Sequence, residues 1–164
     1  FKPNHMNRVF VDEVPKFGEM DDKTLYVLRK QNYPAIEAVF KSMDGKVYAV
    51  QVKSGPMPRD QVITCRLLLD ICDKLGLPAQ QQLHVLYITP QKHFDGWCRI
   101  KPDYTPGTKE KLDGMSKLQL EAETAKVKAD FERRITLSFF GHSFNPSDII
   151  GFQPRCLADH SHLW

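Results

Sequence analysis

The chain has 164 residues and a mass of 18.9 kDa, enough for one domain with a substantial core. Its 41% hydrophobic and 26% charged residues exclude a wholly disordered or collagen-like chain. The net charge of +3 is too small to announce nucleic-acid binding by itself. No run approaches the roughly 18 apolar residues of a membrane span, so no membrane partner is expected. No secretory signal pattern is present, and the sequence opens on Phe1 rather than Met. It reads as a single domain, 1–164, cut from a longer chain.

In chain order, Phe1 to Asp22 mixes Pro, Asn and charges around Val9-Phe10-Val11 and reads as a frayed helix or an edge element. Leu25 to Arg29 is a short strand. Asn32-Tyr33-Pro34 punctuates the chain, and Ala35 to Ser42 is a second strand. Met43-Asp44-Gly45-Lys46 is a turn signal, and Val47 to Lys53 a third strand, so 35–53 predicts an antiparallel hairpin. After the breakers Ser54-Gly55-Pro56 and Pro58, apolar residues at three-to-four spacing predict a helix from Arg59 to Leu75, stopped by Gly76 and Pro78.

Leu83 to Thr89 is a strongly apolar strand, expected near the centre of the sheet. His93 to Ile100 reads as a further short strand, and Asp103 to Thr108 as a Pro/Gly loop. Lys109 to Arg134 is one long charged helix, followed by a last strand from Ile135 to Phe140. Beyond Gly141 the pattern fades. Strand, strand, strand, helix, strand is an α/β order with a central mixed sheet and flanking helices.

The four cysteines, Cys65, Cys72, Cys98 and Cys156, include no CxxC pair, so structural zinc is not expected. They read as buried free thiols of an intracellular reducing compartment.

The informative feature is the hairpin. Glu37 interrupts an apolar run in its first strand, and Gln51 and Lys53 end the second. Side chains alternate along a strand, so Gln51 and Lys53 share a face. A turn at Asp44-Gly45 brings Glu37 alongside them if the register allows. A carboxylate with an amide oxygen can hold Mg²⁺ or Mn²⁺, and a neighbouring lysine can orient water or stabilise charge on a phosphate. That is a layout for metal-assisted phosphodiester hydrolysis, with Glu37, Gln51 and Lys53 catalytic and Glu37 and Gln51 ligating the metal.

Pro34-Ala35-Ile36-Glu37 followed by Gln51-Val52-Lys53 resembles the paired motifs of the PD-(D/E)xK restriction-endonuclease-like superfamily. The stretch Leu25 to Pro90 looks like the nuclease domain of Crinkler effectors and retrotransposon hot spot proteins. The resemblance implies a restriction-endonuclease-like core over 25–100, with 101–164 a helical and irregular C-terminal extension. It also implies Mg²⁺, nucleic acid with DNA favoured as substrate or ligand, and nuclear residence. The sequence departs from the family in having Glu37 for the usual Asp and neutral Gln51 for the usual Glu. A further family-typical acid precedes the first strand, and Glu13 or Glu19 is the candidate here.

Two other readings stand beside this one. The first is a catalytically inactive module that keeps the fold and binds DNA, or a protein through the 109–134 helix. The second is an unrelated α/β domain, which would set Glu37 and Lys53 on opposite faces. The bases Arg59, Lys92, Arg99 and Lys101 read as solvated surface that a phosphate backbone could approach. Phe94 and Trp97 read as packing rather than base stacking. His84 reads as a core or edge histidine, and His142, His160 and His162 as a tail without a metal role.

Overall fold

The computed structural model describes residues 6–30 and 35–142. A six-stranded mixed sheet runs through the protein. Its strands are β1 (Asn7–Val11), β2 (Thr24–Leu28), β3 (Ala38–Lys41), β4 (Val47–Val52), β6 (Leu83–Pro90) and β8 (Ile135–His142), side by side in that order. β2, β3 and β4 are antiparallel neighbours, whereas β1–β2, β4–β6 and β6–β8 are parallel pairs. Each of the last two parallel pairs needs a crossover, and helices supply it. α1 (Cys65–Leu75) connects β4 to β6, and α4 (Lys117–Arg134) leads into β8.

The hairpin turn is where the sequence places it. Gly45 adopts φ 85, which Asp-Gly favours, and its N–H donates to the Ser42 carbonyl. In α1, Cys65, Leu68, Leu69, Ile71, Cys72 and Leu75 are buried against the sheet. Gly76 closes the helix in the left-handed region at φ 66, and its N–H reaches the Cys72 and Asp73 carbonyls. α1 and α4 share one face of the sheet, because Phe131 and Ile135 join the same core as Leu68, Leu75, Val47, Ala49 and Val85. A smaller cluster on the opposite face gathers Leu25, Val27, Ala38, Phe40, Val50, Val52 and Ile88.

The N-terminal apolar patch is an edge strand, β1, one of the two forms expected of it, followed by a single 3-10 turn at Phe17–Glu19. Several other elements differ from expectation. The predicted helix from Arg59 begins only at Cys65. Val62–Thr64 is extended as β5 and pairs in parallel with β7 (Lys101–Asp103) in a separate two-stranded sheet. Two β-branched residues followed by a Thr suit that extended pairing better than a helical first turn. His93 to Ile100 is no strand. Gln91–His93 forms a 3-10 turn and Phe94–Trp97 a short helix, α2.

The charged helix is broken at Gly114. α3 (Lys109–Asp113) ends there, and α4 restarts with the Ser116 hydroxyl accepting from the Gln119 N–H at 3.1 Å. The expected extension, as far as it is described, belongs to the core. β8 lies in register with β6 from Leu83↔Ile135 to Pro90↔His142. Tyr33 and Pro34 of the first motif, and Cys156, His160 and His162, lie outside the described residues.

Candidate active site around Glu37, Gln51 and Lys53

β3 starts later than its sequence suggests. Ala35 takes φ 71, the left-handed region that favours glycine, and Ile36 and Glu37 precede the regular ladder. Glu37 is nonetheless pinned by its backbone. Its N–H donates to the Val50 carbonyl at 2.8 Å, and its carbonyl accepts from the Leu28 N–H at 2.9 Å. β3 pairs with β4 through Ala38↔Val50, so the next position outward sets Glu37 beside Gln51. Alternation along β4 then carries Lys53 to the same face, the one covered by α1. The opposite-face arrangement of an accidental motif is therefore absent at these residues.

The contacts are specific. One Glu37 carboxylate oxygen accepts from the Val52 N–H at 2.9 Å, and the other accepts from the Gln51 amide at 3.2 Å. Glu37 is only 5% exposed and Gln51 only 9%. With its nitrogen spent on Glu37, the Gln51 Oε1 is buried and finds no hydrogen-bond partner among the described residues. A buried amide oxygen without a donor costs free energy, about 1–3 kcal/mol. Such an atom is either a strain point or a waiting ligand.

Burial dominates the electrostatics. It pushes the Glu37 carboxyl up from 4.5 to about 7, against the opposing pull of Lys53 and of the Val52 N–H. It holds Lys53 below its usual 10.5, with Glu37 pulling the other way. The two groups are close enough to support each other's charge, but neither is paired by a direct salt bridge among those described.

Gln51 and Lys53 line a cavity of about 190 Å³ with Tyr87, Thr64, Leu68 and Ile100 among its other walls. Glu37 sits behind Gln51 rather than on the wall itself. Tyr87 is opposite Gln51 in the β4–β6 register and stacks on Phe139 at 5.1 Å between ring centroids. Burial, and then the Glu37 charge, push its hydroxyl well above the usual range, so it stays protonated. Tyr87 was not singled out from sequence, although period-2 alternation in LHVLYIT and a parallel register would have put it beside Gln51.

The second-acid candidates do not reach the cavity. Glu13 is exposed and pairs with Lys30 at 3.2 Å and Lys74 at 3.9 Å. Lys74 lies about 10 Å along α1 from Leu67, on the cavity wall, at about 1.5 Å per residue. Glu19 is exposed in its 3-10 turn. Among the described residues no group of three or more His, Cys, Asp or Glu side chains gathers at a metal-holding distance.

Arg59, Lys92, Arg99 and Lys101 are exposed, as expected of surface bases. Trp97 is buried and its Nε1 donates to the Gly55 carbonyl at 2.8 Å. His84 lies against Tyr48, and burial and then Lys46 hold its imidazole below the usual value. Cys65 and Cys72 are buried free thiols, pushed up by burial to about 12 and about 11, and Cys98 is a free but exposed one. Among the described residues no helix is long and apolar enough to cross a membrane.

Comparison with protein-family models, curated proteins and solved structures finds no match for this chain.

Proposed function

We propose that the chain is a metal-dependent phosphodiester hydrolase domain, acting on nucleic acid with DNA favoured, built on the PD-(D/E)xK plan and its restriction-endonuclease-like core. The observation that carries this reading is the convergence of Glu37, Gln51 and Lys53 on one face, with the Gln51 oxygen buried and unpartnered beside a carboxylate. A hard divalent cation takes oxygen ligands, and this donor set fits Mg²⁺ or Mn²⁺ in kind. Glu37 and Gln51 would hold the ion, which when bound lowers the pKa of water and stabilises charge on a phosphate.

The chain's own residues do the rest. Lys53 presents a cation at the cavity wall, where it binds a phosphate oxygen and stabilises the negative charge that develops on it. Tyr87, held protonated, is available as a hydrogen-bond donor within the cavity. Arg59, Arg99 and Lys101 each fall within two residues of a cavity-lining position, Gln61 or Ile100, so a polyanionic backbone would meet bases at the rim. The same reading places the protein in an intracellular reducing compartment, and by family resemblance in the nucleus.

One further reading is a non-catalytic DNA- or protein-binding module with the same fold, whose protein partner would dock on the 109–134 segment; it is favoured by the lack, among the described residues, of any group of three or more His, Cys, Asp or Glu at metal-holding distance. A plasmid-nicking assay with Mg²⁺, and EDTA as control, separates the two. Metal-dependent nicking by the full chain that Lys53→Ala abolishes supports hydrolysis. No nicking, with calorimetry detecting DNA binding but no Mg²⁺ or Mn²⁺ uptake, supports the module.

A further inference from the structure

Lys53 follows directly on β4, its N–H still donating to the Ile88 carbonyl at 2.8 Å, and Ser54-Gly55-Pro56 comes next. A lysine at the end of a strand has four rotatable bonds and would ordinarily swing into solvent, losing about 2 kcal/mol of rotamer entropy when held. Here it is held. Its Nζ lies 5.4 Å from the centroid of the Trp97 ring, within cation–π range. Trp97 is only 3% exposed, and its indole N–H is tied to the Gly55 carbonyl two residues beyond Lys53. The same side chain therefore fixes the backbone leaving β4 and offers its face to the ammonium.

We propose that Trp97 is the positioning residue for Lys53. It clamps the 53–55 segment through Gly55 and holds the ammonium at the cavity wall beside Gln51. The inference rests on the reading of Lys53 as the phosphate-facing cation. It adds a residue from a helix, α2, that the hairpin motif does not contain. Among the cavity walls, 61–64, Leu67, Leu68 and Ile100 bring no ionisable side chain, and Glu37 is the charged group that acts on Lys53. Loss of the indole would leave the ammonium with the Glu37 charge and the oxygens of the cavity wall, and would remove the bond that fixes the Gly55 carbonyl.

Two variants test this. Trp97→Phe keeps an aromatic face but loses the N–H donor, and Trp97→Leu loses both. The first readout needs no activity: the ε-methylene protons of Lys53, assigned by loss of their signal in Lys53→Arg, are shifted upfield by the indole ring current in the native chain. They are expected to return to the random-coil position in Trp97→Leu and to keep part of the shift in Trp97→Phe. The second readout is nicking. Trp97→Leu is expected to lower kcat by about ten- to a hundredfold with KM little changed, as misplacement of one group does, and Trp97→Phe to recover much of it.

Unshifted Lys53 signals in the native, folded chain would overturn the assignment, as would a Trp97→Leu variant that keeps the shift. If the native chain shows the ring-current shift but never nicks DNA, the hydrolase reading fails while the clamp stands. Circular dichroism of each variant separates loss of the clamp from loss of the fold. Should Trp97→Leu not fold, Trp97→Phe alone decides through the size of its residual shift.

Discussion

Replacing Glu37 by Gln should make the protein less sensitive to alkaline pH, not weaker. The carboxyl moves from 4.5 to about 7 on folding, chiefly because it is buried. Between those values the folded chain binds more protons than the unfolded one, so stability falls as pH rises through the window. At about 1.4 kcal/mol per pH unit, the full window is worth about 3 kcal/mol, of which about 2–3 kcal/mol falls between pH 5 and pH 8. Lys53 is shifted below 10.5, so its contribution has the opposite sign and acts at the alkaline end. Without Glu37 it drops further, which widens the difference between the two proteins.

In Glu37→Gln, the new amide oxygen would keep the bond from the Val52 N–H. The new amide nitrogen would donate to the Gln51 oxygen after a flip of the Gln51 amide, which turns the Gln51 nitrogen to the position where the oxygen now lacks a donor. Urea unfolding followed by circular dichroism at pH 5, 6, 7 and 8 measures this directly. Groups common to both proteins cancel in the difference. Native stability should fall relative to Glu37→Gln by about 2–3 kcal/mol across the series. Parallel curves would refute the burial argument for Glu37, and a variant less stable at every pH would show that the carboxylate is held by more than these contacts.

Gln51→Glu should raise affinity for Mg²⁺ by at least about tenfold in calorimetry, since ligand charge sets affinity over decades. The same variant should be less stable than the native chain at pH 8 without metal, because two buried carboxylates then oppose each other. Leu68→Ala removes a fully buried side chain between α1 and the sheet, and should cost about 2–5 kcal/mol in urea unfolding. A cost under about 1 kcal/mol would mean that Leu68 is not packed between α1 and the sheet.

The hairpin was legible because its signals are local. Asp44-Gly45 fixes the turn, and alternation fixes which side chains share a face. What the sequence hid is non-local. Val62–Thr64 continues a helical apolar spacing, yet it pairs with Lys101–Asp103, nearly forty residues away, and only that partner makes it a strand. Likewise, Phe94 to Trp97 reads as part of a short strand but is a helical turn that contacts β6 and β8. At the site, Gln51 and Lys53 were readable from period 2 alone. Tyr87 was not, because it reaches the cavity only through the β4–β6 register, and Trp97 was not, because it meets Lys53 through packing from another element.

The irregular entry to β3 ties these points together. Had the ladder run unbroken from Ala35, Glu37 would be an ordinary cross-strand partner of Gln51. Instead Ala35 takes the left-handed region, while the Val50 and Leu28 bonds keep Glu37 in line. Its carboxylate then points inward at the Val52 N–H and the Gln51 amide rather than along the sheet. An acid placed this way is costly when ionised, a lysine beside it is costly when protonated, and the amide between them has one oxygen to spare. On the proposed reading, a cation and a phosphate in the cavity would lower all three penalties together. A hairpin shaped by stability alone is expected to carry apolar side chains at these three positions, so the penalties themselves mark the site.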